Sequence, residues 1–295
     1  MTNNTQILEK CPLCGHSQFI QIETCEDFFV SHEHFPLNTC CNCHFIFTQN
    51  VPIGKNKERY YQVPDYISHS DTKKGLINYV YHWVRRVMIR KKTSISGKKY
   101  GNLLDFGCGT GYFASAMKRK GWRVMGVEPS KPAAEIARNK FGIEVISPGE
   151  ITELSHHQFD TITLWHVLEH VENLNDTMSL FSKLMHEKGK LIIAVPNCTS
   201  YDAVKYRSFW AAYDVPRHIW HFSPSTFQLL AEKHGFTITA IKPMPFDAFY
   251  ISILSEKYKK QKYPVLKGFI SGIAAFTASF FNKRKSSSLI YVLKR

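Results

Sequence analysis

The sequence predicts an α/β protein: a mostly parallel seven-stranded sheet with helices on both faces, preceded by a small cysteine-rich module. Two observations support this. From Asn102 onward, short apolar runs alternate with segments of helical periodicity, the pattern of a parallel sheet covered by helices. Before that point, two C-x-x-C pairs lie in the first 50 residues. Cysteines at this spacing are typical of a small domain built around a metal ion.

Seven segments of the main domain are predicted strands, because they are short and rich in apolar or β-branched residues. In chain order they are NLLDFG, RVMGVEPS, EVISP, FDTITLW, KGKLIIAVPN, FTITAIKPM and SLIYVLKR. Helices are predicted at YFASAMKRKG, KPAAEIARNKFG, LNDTMSLFSKLM and SPSTFQLLAEKHG. Ligands of such sheets bind at the carboxyl ends of the strands, so functional residues are expected there.

The cysteine pairs predict a zinc-ribbon-like module. The expected ligands are Cys11, Cys14, Cys40 and Cys43. A two-residue gap lets both thiolates of a turn face one Zn²⁺ ion at about 2.3 Å. The substitute ligands nearby are Cys25, Cys41, His16 and His44. A site of four cysteines leaves no open coordination position, so we expect a structural zinc that stabilises a module too small to fold alone.

The domain organisation follows from these patterns. We assign the zinc-binding module to residues 1–50 and an aromatic, basic helical connector to 51–100. The remaining domain covers 101–295, with a helical insertion at about 255–285. Apolar residues recur at helical spacing in GLINYVYHWVRRVMIRKK of the connector, which predicts a helix packed on the main domain.

The chain is strongly basic, with a formal net charge of +14 over 295 residues. From Lys257 onward it has ten Lys or Arg and no Asp or Glu. Such a surface favours an anionic partner, whether nucleic acid, phosphorylated small molecule or lipid headgroup, although a solvated basic face is the commoner explanation. The first residues, MTNNTQILEK, lack the basic start and apolar core of a signal peptide, so we expect reduced cysteines and a cytoplasmic protein.

A glycine-rich turn, DFGCGTGYF, follows the first strand of the main domain. Its glycines, Gly107, Gly109 and Gly111, let a ligand approach the backbone and the start of the next helix. The spacing differs from the G-x-G-x-x-G of dinucleotide sites, and no Gly-Lys-Ser/Thr follows as in a P-loop. Glu128 ends the second strand and can bind both hydroxyls of a ribose, which fits any adenosine-containing cofactor.

Four motifs resemble, in order and spacing, those of class I S-adenosylmethionine-dependent methyltransferases over about residues 100–240. They are LLDFGCGTGYF, GVEPS, FDTITLWHVLEHVEN and KGKLIIAVPN. The resemblance implies a Rossmann-like domain that uses S-adenosylmethionine as methyl donor. It implies that Asp105 and the turn glycines hold the methionine part, that Glu128 holds the ribose, and that Trp165 and His166 lie near the sulfonium. The other implied cofactor residues are Tyr112, Phe113, Pro129, Ser130, Glu150 and Ile151.

The zinc-binding module, together with YDVPRHIWHFSPSTF after the fifth strand, resembles a subset of these enzymes with an N-terminal zinc-binding region. That subset includes methyltransferases of deoxysugar and cell-surface glycan pathways. The resemblance therefore implies a sugar-type or glycan-type acceptor for the methyl group.

Methyl transfer from a sulfonium needs mainly a positioned acceptor and the exclusion of water. A hydroxyl or carbon acceptor also needs a base, for which histidine is the natural candidate. The candidate catalytic residues are His166, His170, Tyr213, His218 and His221. A metal role for H-V-L-E-H is not favoured, because the metalloprotease pattern has Glu directly after the first His. Arg217 either binds an acceptor phosphate or pairs with Asp214.

The segment PVLKGFISGIAAFTASFFNKRK is apolar for 18 residues except Lys267. Its large apolar residues fall on one helical stripe, which predicts an amphipathic helix. This helix serves either as a lid or dimer contact, or as a peripheral membrane contact with Lys283, Arg284 and Lys285 at anionic headgroups. A spanning helix is not expected, because the last strand must return to the sheet.

The resulting expectation is methyl transfer to a small or lipid-linked anionic acceptor, with a nucleotide-sugar or glycan intermediate favoured. One alternative is RNA methylation, since a zinc-binding module with basic flanks also suits nucleic acid. It is less favoured because LWHV stands where base-methylating enzymes have an N/D-P-P-Y/F motif. Another alternative is an interaction protein that binds the cofactor without catalysis.

Overall fold

The computed structural model describes residues 5–61, 76–97, 100–154 and 159–295. The aromatic stretch of the predicted connector at 62–75 lies outside the described residues, as do the side chains of 76–84.

The N-terminal module is built from short antiparallel strands. They are β1 (Thr5–Gln6), β2 (Phe19–Glu26), β3 (His34–Cys40), β4 (Ile46–Thr48) and β5 (Val51–Pro52). β1 pairs with β5, while β2, β3 and β4 form a separate sheet. A short helix, α1 (Lys55–Glu58), leads out of the module.

The main sheet confirms the predicted α/β class. Its strands are β6 (Asn102–Phe106), β7 (Arg123–Val127), β8 (Glu144–Ile146), β9 (Phe159–Trp165), β10 (Met185–Pro196), β12 (Thr237–Pro243) and β13 (Ser288–Lys294). Their order is β12-β13-β10-β9-β6-β7-β8. β13 is antiparallel to both of its neighbours, whereas the pairs from β10 to β8 are parallel. The β10 run Leu191–Val195 is buried throughout, as expected of a strand covered on both faces.

Eight further helices are described, of which α6 and α8 were not predicted from the sequence. They are α2 (Leu76–Ser96), α3 (Tyr112–Arg119), α4 (Lys131–Phe141), α5 (Leu174–Leu184), α6 (Tyr201–Tyr206), α7 (Pro224–Lys233), α8 (Asp247–Tyr258) and α9 (Pro264–Phe281). The short 3₁₀ turns are Pro148–Leu154, Leu168–His170, Arg207–Phe209, Ala211–Tyr213 and Lys283–Lys285. Two of these helices begin at a serine cap. The Ser130 side chain accepts a hydrogen bond from the Ala133 amide, and Ser223 forms a capping box with Thr226.

The two parts of the chain share one sheet and one core. The fourth strand of the module's larger sheet is β11 (Trp220–His221), which comes from the main domain and pairs with β4. Phe45 of the module packs against Trp220 and Phe222, with ring centroids 6.0 and 5.6 Å apart. The segment between β10 and α7 therefore packs against both the N-terminal module and the main domain. This packing positions the three candidate catalytic residues that the segment carries.

The helical insertion differs from the expected single segment at about 255–285. It consists of two packed antiparallel helices, α8 and α9, and it begins earlier, at Asp247. The pair is inserted in the chain between β12 and β13, and Asp247 at the start of α8 reaches His166, which directly follows β9.

Candidate active site

The glycine turn after β6 has the left-handed backbone that only glycine adopts easily. Gly107, Gly109 and Gly111 have φ values of 76°, 53° and 81°. A Cβ atom on Gly107 would lie 2.4 Å from Val167, and one on Gly111 would lie 2.8 Å from Ala137. A Cβ on Gly109 would meet no atom within 4 Å among the described residues. Gly107 and Gly111 thus allow close packing, whereas Gly109 faces open space that a ligand can enter.

Glu128 joins this turn to the end of β7. Its Oε2 accepts a hydrogen bond from the Gly109 amide at 2.8 Å, and its Oε1 accepts one from the Ser130 amide at 2.9 Å. Burial raises the pKa of the carboxyl, although the two amides oppose that shift. A carboxylate has about four lone-pair sites, so acceptor capacity remains for ribose hydroxyls.

Asp105 and Trp165 form the floor of the same region, at the ends of β6 and β9. The Thr163 hydroxyl donates to Asp105 at 2.7 Å, and burial raises the pKa of Asp105 to about 7. The indole Nε1 of Trp165 is buried and has no hydrogen-bond partner among the described residues. Lys92 of α2 places its ammonium 4.5 Å from the centre of the Trp165 ring. A carboxyl group, an unpaired N–H donor and an aromatic face thus converge where the resemblance places the methionine part of the methyl donor.

Of the other residues that the resemblance assigns to the cofactor, some pack against Trp165 and others lie apart from it. Phe113 packs edge-to-face on Trp165, with ring centroids 5.1 Å apart. Tyr112 begins α3, and Pro129 is exposed beside Ser130. Glu150 is on the surface, where it accepts hydrogen bonds from the amide and hydroxyl of Ser147, while Ile151 is 4% exposed and belongs to the main core. An adenine contact by this last pair stays a prediction.

His166 follows β9 and is held between two carboxylates. Its Nε2 lies 3.2 Å from Asp247 Oδ2, and its Nδ1 lies 3.3 Å from Glu169 Oε1. Burial alone would lower the pKa of His166, but the two hydrogen bonds and charges raise it to about 9. The backbone here has φ of 60°, which is uncommon for a residue with a side chain and typical of functional sites. At neutral pH His166 is therefore an imidazolium, so this geometry disfavours it as the general base.

His170 and His218 lie beside the same glutamate. Their rings meet edge-to-face with centroids 4.5 Å apart. The Nδ1 of His170 is 3.0 Å from the Arg217 carbonyl, and that of His218 is 2.8 Å from the Ala212 carbonyl. Carbonyl oxygens only accept, so each Nδ1 carries a proton. The Nε2 of His218 lies 3.9 Å from Asp214 Oδ2.

The ionisation of this cluster is set by burial. Burial and the neighbouring His218 lower the pKa of His170 to about 3, so His170 is neutral. Glu169 Oε2 is buried without a hydrogen-bond partner among the described residues. One ligand atom from each of Glu169, His170 and His218 lies within 4.8 Å of the others. This group can take up a proton and could also hold a metal ion.

His221 and Tyr213 are buried on the side that faces the N-terminal module. The Thr48 hydroxyl donates to the His218 carbonyl at 2.7 Å, so it accepts from His221 Nε2–H at 2.9 Å. Tyr213 packs edge-to-face on His221, with ring centroids 5.1 Å apart. His221 is 4% exposed and Tyr213 is 7% exposed. The five predicted catalytic residues thus lie in one contiguous cluster. Within it, His221 and Tyr213 are buried and pack against each other.

Arg217 pairs with Asp214, so its guanidinium is not available to bind a phosphate of the acceptor. It is 1% exposed, and its guanidinium lies 2.7 Å from Asp214 and 2.8 Å from Asp27. Its Nη1 also donates to the Tyr60 carbonyl at 3.1 Å. Although burial opposes the charge, the two carboxylates hold the pKa of Arg217 above its usual range. Of the two alternatives, the Asp214 pair is the one observed.

The four predicted zinc ligands come together at the start of the module. Cys11 and Cys43 have sulfur atoms 3.5 Å apart, as do Cys14 and Cys40, and all four lie within 4.8 Å of one another. A tetrahedron with bonds of about 2.3 Å has sulfur atoms about 3.8 Å apart, which fits this spacing. Although partial burial raises its pKa, hydrogen bonds with the His16 backbone and Asn42 lower the pKa of Cys14 to about 6, whereas burial raises the pKa of Cys11 to about 11. A thiolate is the form that binds zinc.

The fold and this site define a class I S-adenosylmethionine-dependent methyltransferase. A family model described as a methyltransferase domain matches residues 80–241, more than half of the 295 residues. The chain belongs to this methyltransferase family.

Relatives and solved structures agree with the assignment. An uncharacterized methyltransferase of Anoxybacillus flavithermus is 30% identical over 155 residues, covering 48% of this chain and 73% of the relative. The mitochondrial ubiquinone biosynthesis O-methyltransferase of Schizosaccharomyces pombe is 30% identical over 116 residues, 36% of this chain and 41% of that protein.

Two solved structures show the fold. The cyclopropane synthase MmaA2 of Mycobacterium tuberculosis matches with a TM-score of 0.52 at 15% identity, covering 80% of this chain and 95% of that one. The magnesium protoporphyrin IX methyltransferase of Synechocystis PCC 6803 matches with a TM-score of 0.50 at 13% identity, covering 81% and 92%.

Three side chains of the site were not identified from the sequence motifs. Asp247 pairs with His166 from the start of α8, and Lys92 reaches Trp165 from α2. Lys57 donates to the His170 carbonyl at 3.3 Å. The sequence did contain a signal for Asp247, because this residue follows β12 and ligands bind at the carboxyl ends of the strands. The two lysines belong to no motif.

Proposed function

We propose that this methyltransferase acts on a small or lipid-linked anionic acceptor, with a nucleotide-sugar or glycan intermediate favoured. When bound, S-adenosylmethionine would supply a methyl group on a sulfonium, from which a neutral thioether is an excellent leaving group. The chain must then hold the acceptor in line at about 3 Å and exclude water. The observation that supports this best is the histidine pair His170 and His218, which lies with Lys57 beside the end of β9.

The proton of a hydroxyl acceptor goes to this histidine pair in our proposal. A methylated oxygen that still carries its proton is strongly acidic, so even a weakly basic imidazole accepts it. His170 Nε2 has a free lone pair, and the nearby Glu169 carboxylate would stabilise the imidazolium that forms. His166 is already protonated, so its role is to hold Glu169 and Asp247 in place.

The charge around the pair supports an anionic acceptor. The ammonium of Lys57 is 3.2 Å from Glu172 and 3.3 Å from the His170 carbonyl, where it can shift toward a bound anion. Glu172 is the exposed member of this ion pair, and such pairs contribute only about 0–1 kcal/mol. The overall charge of +14 acts in the same direction by steering anions to the surface.

Labelled methyl transfer tests the acceptor class. The full chain, supplied with zinc and labelled S-adenosylmethionine, is offered nucleotide-sugars, lipid-linked glycan extract and total RNA in separate reactions. We expect label in one of the first two pools. His170→Gln should lower kcat at least about 100-fold without changing cofactor affinity, and the exposed His186→Gln is the matched control. Label in RNA alone would replace this proposal with the RNA alternative.

We also propose that the four-cysteine group holds one structural zinc ion. The support is its sulfur spacing and the location of Cys11 and Cys40 in the core shared with the main domain. Elemental analysis of the purified chain should give one zinc per molecule. A metal content near zero, with the fold intact, would contradict this assignment.

A further inference from the structure

The helix α9 leaves a large apolar face in solvent. Each of its members has at least 47% of its surface exposed: Val265, Leu266, Phe269, Ile270, Ile273, Phe280 and Phe281. At 3.6 residues per turn, they lie within about 160° of the helix circumference. Thr277 shares this face, but its hydroxyl donates to the Ile273 carbonyl at 2.9 Å and is satisfied within the helix. Exposed apolar patches of this extent mark interaction sites.

The opposite face of α9 packs against α8 and has room only for small side chains. It is lined by small buried residues, which are Gly268, Ser271, Gly272, Ala275 and Ser279. A Cβ atom on Gly268 would lie 2.4 Å from the Ile253 Cα, and one on Gly272 would lie 2.9 Å from the Phe249 Cα. The backbones of α8 and α9 are therefore in close contact, and only the small face fits there.

Basic residues stand at both ends of this apolar face. Before it are Lys257, Lys259, Lys260 and Lys262, and after it are Lys283, Arg284 and Lys285, all of them exposed. No Asp or Glu occurs from Lys257 to the end of the sequence. A second copy on this face would bring two such basic sets together, which is unfavourable. An anionic lipid surface complements both the apolar face and the charges.

We propose that α9 docks the enzyme on an anionic lipid bilayer, lying in the interface with its apolar face among the acyl chains. Of the described residues, Pro264–Phe281 is the one helix long and apolar enough to cross a membrane, and 28% of it is buried. It lies on the membrane and does not span it, because its small face is bound to α8 and β13 begins soon after it, at Ser288.

The docking helix is physically connected to the candidate active site. Its partner α8 starts at Asp247, which pairs with His166, and the rings of Phe246 and Phe276 lie 6.2 Å apart between the two helices. Docking therefore brings the site close to the lipid surface. The inference does not rest on the proposed acceptor, because an enzyme with a soluble acceptor could dock in the same way.

Vesicle flotation tests the proposal with the full, zinc-supplied chain. The two probes are vesicles of phosphatidylcholine alone and vesicles of equal parts phosphatidylcholine and phosphatidylglycerol. We expect salt-sensitive binding to the anionic vesicles and weak binding to the neutral ones. The double variant I270E/F280E should weaken binding at least about 100-fold, since each side chain buried in lipid contributes roughly 10–100-fold. The triple variant K283Q/R284Q/K285Q should weaken it about 100-fold.

The controls separate a docking defect from a folding defect. Leu229→Glu changes a residue of α7 that is 42% exposed and lies outside the patch, so it should bind vesicles like the parent. Each variant should keep the parent's melting temperature and cofactor affinity. The proposal is overturned if the parent binds neither kind of vesicle, or if I270E/F280E binds as the parent does. It is also overturned if light scattering shows a dimer that I270E/F280E dissociates, since the face then belongs to a second copy.

Discussion

Replacing Arg217 with methionine tests whether the N-terminal module and the histidine-bearing segment form one structural unit. Arg217 connects them directly, since it pairs with Asp27 of the module and Asp214 of its own segment. Methionine keeps much of the stem volume but removes the charge. Asp27, whose side chain is fully buried, would then lose its cationic partner.

The expected cost follows from the burial of both partners. Removing one member of a buried ion pair destabilises a protein by about 3–5 kcal/mol, because the other charge is left uncompensated. The matched control is Arg59→Met in the same part of the chain. Arg59 pairs with Glu33, but the two side chains are 60% and 44% exposed, so the expected cost is only about 0–1 kcal/mol.

Urea unfolding followed by tryptophan fluorescence measures both free energies. We expect Arg217→Met to lose at least about 2 kcal/mol more than Arg59→Met. Methyl transfer should also fall, because without the two ion pairs the backbone at position 217, whose carbonyl contacts His170, is held less firmly, while cofactor affinity stays near that of the parent. Equal unfolding free energies for the two variants would refute the reasoning that the two parts form one unit.

Three further outcomes are expected. Glu128→Gln should weaken cofactor binding roughly 10–100-fold by calorimetry, because bonds to a charged acceptor are lost, whereas the exposed Glu135→Gln should leave it unchanged. Cys40→Ser should abolish zinc binding and remove on the order of 10 kcal/mol from the folding of the module; an unchanged melting temperature would contradict this. The pKa of His166 is raised from 6.5 to about 9, so its ion pairs stabilise the fold fully below pH 6.5 and are lost as the pH rises through about 9. Asp247→Asn should weaken that dependence in melting curves across this window, and a curve identical to the parent's would speak against the pairing.

Much of the fold was predictable because its signals are local. All seven strands of the main sheet and the helices α3, α4, α5, α7 and α9 follow from apolar periodicity, whereas α6 and α8 were not predicted. Serines such as Ser130 and Ser223, which cap two of these helices, are a common sequence signal of a helix start. The glycine turn was predictable for the same reason, since positive φ angles need glycine at Gly107, Gly109 and Gly111.

The candidate site was only partly predictable, because its chemistry depends on residues far apart in the chain. The sequence singled out His166 as a base, but Asp247 lies 81 positions later and, with Glu169, makes His166 a cation. Arg217 could not be assigned to Asp27 either, since 190 positions separate them.

By itself, the sequence determined the succession of strands and of most helices along the chain, the glycine turn followed by Glu128, and the two C-x-x-C pairs, because each depends on neighbours within a few residues. The tertiary structure alone decided three matters: the protonation of His166 and His170, the sharing of a sheet between the module and β11, and the solvent-facing side of α9. For that helix the large apolar stripe predicted an amphipathic face but not its direction. The close approach of α8 admits only Gly268, Gly272 and their small neighbours, so the phenylalanines are left outside.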